Sequence, residues 1–201
     1  MAKQRELPDW EQLYQEKQVE SMPWFNPELD PELDQALTRL ELHQGTVLDL
    51  GTGPGTQAIA LAERGFQVTA TDLSATAIRK AESRAKAKGL DIAFKQDNIL
   101  NSQLKQDFDF AWDRGCFHVF PPEQRQDYVQ VVARLIKPDG YLFLKCFSYL
   151  QPGEEGPYRF TGEEIQKIFN RHFQVCSVIE TVYQGTLDPL PRALFCILQR
   201  Q

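Results

Sequence analysis

Val47-Leu48-Asp49-Leu50-Gly51-Thr52-Gly53-Pro54-Gly55-Thr56 joins an apolar run to a helical one through a turn almost free of side chains. An apolar run that ends in an acid and three alternating glycines places backbone N–H groups and a helix N-terminus around a polar ligand. Seventeen residues past Gly55, a second apolar run, Val68-Thr69-Ala70-Thr71-Asp72, also ends in an acid. The spacing fits one βαβ unit in which Asp72 holds the two hydroxyls of a ribose. A dinucleotide fingerprint, G-x-G-x-x-G/A, would require its third small residue at Thr56, where it is missing.

Outward from this unit, strand-like and helical runs alternate from Thr46 onward, the pattern of a parallel sheet covered by helices on both faces. Strands are expected at Thr46 to Leu50, Gln67 to Thr71, Ile92 to Gln96, Phe108 to Trp112, Tyr141 to Phe147, Phe173 to Thr181 and Ala193 to Gln199. The first crossover helix should run from Thr56 to Arg64 and stop at Gly65. The second should start on Ser74 as N-cap and end near Gly89, with its lysines and arginines on a solvated face. Pro121-Pro122-Glu123 opens a third whose stripe of Tyr128, Val131, Val132, Leu135 and Ile136 is core, and Lys137-Pro138-Asp139-Gly140 turns it into the next strand. The last two strands are separated only by Val182 to Arg192, too little for a helical crossover, so they should be antiparallel neighbours.

The 201 residues fit one domain with a full core and leave no room for a separate substrate domain. A net charge of −6 gives no field that would draw the chain to nucleic acid or an anionic membrane, so a small-molecule partner is expected. No apolar segment approaches the ~20 residues of a membrane span, and Met1-Ala2-Lys3-Gln4-Arg5-Glu6 lacks the apolar core of a signal peptide, so a cytoplasmic location is expected. A monomer is the default expectation for oligomeric state. The four cysteines form no C-x-x-C pair and no histidine stands at ligand spacing, so no metal site is expected; Cys146, Cys176 and Cys196 read as strand residues.

The motif D-x-G-x-G-x-G, with Asp49 two residues before the first glycine, resembles the nucleotide motif of the class I S-adenosylmethionine-dependent methyltransferases, and the resemblance runs from about Thr46 to the C-terminus. It implies an α/β fold with a doubly wound, seven-stranded, mostly parallel sheet in the order 3-2-1-4-5-7-6, the last strand antiparallel. Trp112-Asp113-Arg114-Gly115 at the fourth strand end, with a tryptophan-bearing N-terminal extension, looks like the branch that includes thiopurine S-methyltransferase and related thiol and halide methyltransferases. No N-P-P-F/Y or D-P-P-Y tetrapeptide of the nucleic-acid amine methylators stands there. Residues 46–201 are then the methyltransferase domain. Residues 1–45, with Trp10, Tyr14, Trp24 and an expected helix near Pro31 to Leu42, are a helical cover over the cofactor site.

The same resemblance assigns the cofactor, S-adenosylmethionine, to Asp49, Gly51, Thr52, Gly53, Gly55, Asp72, Leu73, Asp97, Asn98, Ile99 and Asp113 at the strand ends, and to Trp10 of the cover. Within that set Asp72 would take the ribose and Asp97 the adenine amino group, with Asn98 and Ile99 beside the ring. The acceptor would meet Arg114, Cys116, Phe117, Tyr14 and Trp24. Loops at Ser148 to Arg159 and Val182 to Arg192 leave the same rim and add apolar area. A sulfonium already activates its methyl group, so in-line displacement needs mainly a nucleophile about 3 Å away in a pocket that excludes water. A thiolate, halide or deprotonated hydroxyl needs no base; for a neutral hydroxyl or amine, His118 is the candidate catalytic base. The expected activity is methyl transfer to a small acceptor, sulfur or oxygen ahead of nitrogen. The shared βαβ unit leaves a nicotinamide-dependent oxidoreductase as one alternative, and a non-catalytic S-adenosylmethionine-binding regulator as another.

Overall fold

The computed structural model describes residues 7–105 and 107–201; the opening hexapeptide, read above for a signal sequence, lies outside them. Eight strands form one sheet: Thr46–Leu50 (β1), Gln67–Asp72 (β2), Ala93–Gln96 (β3), Phe108–Arg114 (β4), Ile136–Ser148 (β5), Arg159–Phe160 (β6), Phe173–Val182 (β7) and Arg192–Arg200 (β8). The six helices are Trp10–Glu16 (α1), Pro31–Arg39 (α2), Thr56–Glu63 (α3), Ala75–Ala87 (α4), Arg125–Leu135 (α5) and Gly162–Phe169 (α6). The sheet order is β3-β2-β1-β4-β5-β8-β7, with the two-residue β6 paired to β5 off that path. Numbered without β6, this is the expected order. β8 alone runs backward, antiparallel to both β5 and β7.

The central strands are apolar on both faces because helices cover both. In β1, Val47 joins Phe110, Trp112, Phe143 and Phe195 in one core beneath α2 and α3, whereas Leu48 and Leu50 join Phe108, Leu144 and Tyr128 in the other, beneath α5 and α6. Fully enclosed strands also carry the weight of the crossover helices; α4 starts as expected on Ser74, whose hydroxyl accepts from Ala77 N–H.

Three expectations about elements need correction. Lys137 to Gly140 turn the chain without ending the strand: α5 ends at Leu135 and β5 begins at once, but β4 advances only from Phe108 to Phe110 while β5 advances from Ile136 to Tyr141, so these residues bulge out of the pairing with Asp139 at φ 64. The helix expected from Pro121 opens as a 3-10 turn over Pro122–Gln124 before α5 begins. Two helices, α1 and α6, were not foreseen, although α6 carries a full capping box of Thr161 and Glu164.

The N-terminal segment is fastened to the sheet domain at several places, two of them built on carboxylates, Glu11 and Asp30. The Glu11 carboxylate of α1 accepts hydrogen bonds from Ser74 Oγ (2.6 Å), Thr76 Oγ1 (2.5 Å) and Thr76 N–H (3.0 Å) at the start of α4, and the Tyr14 carbonyl accepts one from Lys80 Nζ (2.5 Å). Further along, Asp30 at the start of α2 is fully buried and accepts two hydrogen bonds from Lys145 Nζ, at 2.9 and 2.7 Å, and one from Arg114 Nε at 3.1 Å. Lys145, itself fully buried on β5, also donates to Glu32 (2.7 Å) and to the Gln184 side chain (2.7 Å).

Candidate functional site

The turn after β1 is built by backbone that other side chains cannot follow. Gly53 has φ 53, and a Cβ there would sit 2.6 Å from Tyr14 Oη; Gly51 has φ 63, and a Cβ there would stand 3.1 Å from Cys116 Cβ. The two positions let α1 and the end of β4 close on the turn from opposite sides. Gly55 instead packs on Ala81 of α4.

Beyond the carboxyl ends of β2, β1 and β4 lies a cavity of about 420 Å³. On one side its wall is Thr71, Asp72, Leu73, Asp97, Asn98 and Ile99, with Leu7, Pro8, Trp10 and Tyr14 closing over them. On the other side it is His118, Val119, Phe120, Phe147, Tyr183 and Leu187, with Pro23, Trp24, Gly156, Pro157 and Pro191 around the rim. Gly51, Arg114, Gly115 and Cys116 stand between the two halves.

Each acid meets a different environment. Asp72 accepts from Gly53 N–H (2.8 Å) through one oxygen and from Ser74 N–H (2.9 Å) through the other, and burial raises its pKa. Asp97 Oδ2 has no partner. It and Trp112 Nε1 are the two buried side-chain N/O atoms so placed among the described residues, and only Asp97 lines the cavity. Asp49 lies beneath the turn and accepts from Thr52 Oγ1 at 2.5 Å. Burial pushes it up to about 7, and the neighbouring Asp113 and Asp72 carboxylates push in the same direction.

Asp113 was expected at the cofactor, but its carboxylate turns into the protein. It accepts from the N–H groups of Gly115 (3.1 Å), Cys116 (2.8 Å) and Phe117 (2.9 Å) and from Tyr128 Oη (2.6 Å), which shapes the bend after β4. Burial still pushes it up to about 6. Phe117 likewise leaves the expected acceptor site for the core, 5.0 to 5.2 Å from the rings of Phe160, Phe169 and Tyr128. Asp49, Thr52 and Gly53 line a second, smaller cavity of about 40 Å³ that shares Tyr14, Trp24, Gly51 and Arg114 with the main one, and Gly55 lines neither. The other expected positions, Gly51, Asp72, Leu73, Asp97, Asn98, Ile99, Trp10, Tyr14, Trp24, Arg114, Cys116 and His118, all line the main cavity.

Arg114 lines the cavity with each of its three nitrogens already donating within the protein. Nε donates to Asp30, Nη1 to the Trp24 carbonyl (2.9 Å) and Nη2 to the Gln184 carbonyl, while the guanidinium lies 5.0 Å from the Tyr183 ring centroid. Cys116 remains a thiol: burial, then the charges of Asp113, Asp72 and Asp49, raise its pKa well above the ordinary value. His118 Nδ1 accepts from Phe147 N–H at 3.1 Å, and burial lowers the ring's pKa to about 3, helped by Arg114 and Arg159. Sequence reasoning missed Asp30, Lys145 and Phe147. A lysine within the apolar run Tyr141 to Phe147 was the available signal for a buried ion pair.

Residues 47–140 match the family model described as "Methyltransferase domain". A methyltransferase of Schizosaccharomyces pombe is 31% identical over 109 residues, which cover 54% of this chain and 74% of that protein. A 2-heptyl-1-hydroxyquinolin-4(1H)-one methyltransferase of Mycobacteroides abscessus is 29% identical over 157 residues, covering 76% and 69%. A thiopurine S-methyltransferase of Legionella pneumophila is 26% identical over 188 residues, covering 85% and 82%. Among solved structures, one from work on conversion of a disulfide bond into a thioacetal group during echinomycin biosynthesis superposes with a TM-score of 0.83 at 23% identity, covering 96% of this chain and 92% of that one. The oxidoreductase alternative falls away with these likenesses, and so does the non-catalytic one. The matched segment holds the glycine turn and the acids of β1, β2 and β4, and on that ground the chain belongs to the class I S-adenosylmethionine-dependent methyltransferases.

Proposed function

We propose that this chain methylates sulfur or oxygen on a small, apolar, aromatic acceptor, holding S-adenosylmethionine at the Asp72–Asp97 side of the cavity and the acceptor at the His118–Tyr183 side. The observation that carries the reading is one cavity with two unlike halves, one holding the carboxylates of Asp72 and Asp97 and the other walled by His118, Phe120, Phe147 and Tyr183.

Several features fit the cofactor to the acidic half. Asp97 Oδ2, buried and unpartnered, suits the amino group of an adenine flanked by Asn98 and Ile99. Asp72 suits the ribose hydroxyls, and the bare backbone at Gly51 leaves room for the methionine part. The three carboxylates of Asp49, Asp72 and Asp113 are all raised toward neutrality by burial, and a cation placed above them lowers the cost of ionising them. Bound there, the cofactor supplies a methyl group on a sulfonium. The protein's own part is placement: Trp10 and Tyr14 cover the cofactor half, and residues 7–45 as a whole act as the cover that keeps water out.

Among the described residues, the cation at the aromatic half is Arg114, whose charge is already paired with Asp30 and whose three nitrogens each donate within the protein, to Asp30, Trp24 and Gln184, which disfavours a carboxylate or phosphate acceptor. Phe120, Phe147 and Tyr183 instead offer apolar ring surfaces. The relatives named for a thiopurine, with transfer to sulfur, and for a 1-hydroxyquinolin-4-one have planar heteroaromatic acceptors, in keeping with such walls. The test is formation of S-adenosylhomocysteine with aromatic thiols, phenols, N-hydroxy heteroarenes, halides, carboxylates and amines. Turnover should concentrate on the first three; a preference for carboxylates or amines would overturn the assignment.

A further inference from the structure

We propose that His118 is a hydrogen-bond donor to the acceptor atom, so that the enzyme takes acidic S–H and O–H compounds in their anionic form instead of deprotonating neutral ones. This rests on the acceptor site assigned above and narrows its substrate class.

The ring's own contacts decide the direction of the proton. A neutral imidazole has one N–H and one lone pair, and the lone pair of His118 is on Nδ1, where Phe147 N–H donates to it at 3.1 Å. The proton is therefore on Nε2. No protein acceptor meets Nε2 among the described residues, and the space beside it is open because position 115 is glycine: a Cβ there would lie 3.1 Å from Nε2 and 3.1 Å from Tyr183 Oη. An N–H thus borders the cavity next to the strand end where cofactor and acceptor halves meet.

The groups that face the ring are of one sign. Arg114 at the end of β4 and Arg159 on β6 both disfavour a second proton on the imidazole; the Phe147 ring on β5 is neutral, and Tyr183, beyond β7, keeps its phenol proton through burial. Arg114 is itself paired with Asp30, so the group that meets an anion directly is the N–H on Nε2. No other cavity group can serve as base. Cys116 and Tyr14 are held in their protonated forms by burial, Asp113 is outside the cavity, and Asp72 and Asp97 are on the cofactor side.

The chemistry then balances without a proton acceptor in the protein. A thiolate or phenolate lone pair forms the new bond to the methyl carbon, the carbon–sulfonium bond breaks, and its electron pair stays on sulfur as a neutral thioether. The acceptor's proton has already gone to bulk water. Nε2–H lowers the energy of the anion in the site and fixes the direction of its lone pair.

The test uses the intact protein with bound S-adenosylhomocysteine and the chromogenic probes 4-nitrophenol and 4-nitrothiophenol, followed by absorbance across pH. The bound probe should ionise at lower pH than the free one, by about one unit, and His118→Phe should abolish the shift while S-adenosylhomocysteine affinity stays unchanged. In turnover with phenols and thiols of graded acidity, the acid limb of kcat/KM should follow each acceptor's own pKa. His118→Phe should lower kcat/KM about a hundredfold, and His118→Gln, which keeps an N–H, should restore most of it. A limb at one fixed pH for every acceptor, or an unshifted probe, would overturn the donor role. Failure of both probes to bind a complex that holds S-adenosylhomocysteine would instead overturn the acceptor site itself, and the inference with it.

Discussion

Asp97 and Asp72 stand side by side in the wall but should respond differently to loss of the carboxylate. Asp97 Oδ2 has no partner among the described residues and Oδ1 accepts only from Gln103 N–H at 3.4 Å, so Asp97→Ala should weaken S-adenosylhomocysteine about tenfold by calorimetry with the unfolding temperature nearly unchanged. Asp72→Ala should weaken it at least as much and should also lower the unfolding temperature, because the N–H groups of Gly53 and Ser74 lose their acceptor. Equal stability losses in the two variants would refute this division of labour. Residue identity in the sequence was enough to find both acids, since each ends a strand-like run. It was not enough to tell Asp113 from them: a strand-end acid that binds a ligand and one that accepts from the next three N–H groups look alike until the bend after β4 is built.

The contact between α2 and β5 rests on charges taken out of water. Lys145 and Asp30 are both fully buried, with Glu32 completing the set, and such an arrangement holds only while every partner is present. Lys145→Met should cost about 3–5 kcal/mol by leaving the carboxylates of Asp30 and Glu32 with Arg114 where there had been two cations, which denaturant unfolding would detect; Asp30→Asn in the same chain should recover part of the loss. Additive losses in the double variant would show that the two do not act as a pair. At this scale the strands were readable because apolar runs between glycine and proline turns report burial on both faces. The helix α1 was not, since seven residues with few apolar positions owe their shape to Asp9, which caps them, and to α4 beneath. The continuation of β5 through Pro138 and Gly140 was equally hidden, because those residues signal a turn and here bulge out of a strand whose pairing resumes with Tyr141 opposite Phe110.

For the molecule as a whole, buried acids set how stability varies with pH. Asp49 and Asp113 keep their protons in the folded state up to about 7 and about 6, whereas unfolded aspartates release theirs near the ordinary value of 3.8. The folded state therefore binds more protons across that window, and stability falls as pH rises through it. Glu32 behaves oppositely: despite partial burial, hydrogen bonds from its neighbours, Lys145 and Thr181 among them, lower it from 4.5 to about 2, so its contribution is complete above the unfolded value and is lost as pH drops through that interval. The unfolding temperature of the ligand-free protein should peak near about pH 5 and decline toward pH 8, and Asp49→Asn should flatten the decline. A peak at or above neutrality would contradict this balance.

Arg114 ties together parts of the polypeptide that are far apart along it: Asp30 and Trp24 near one end, Gln184 near the other. The stretch between them supplies Thr71 to Ile99 on one wall and His118 to Pro157 on the other, whereas Trp24 and Tyr183 come to the cavity from the two flanking segments that Arg114 holds. A chimera meant to transplant acceptor preference from a relative must therefore exchange the two extremities together, because replacing either alone leaves the guanidinium knotted to a mismatched mate.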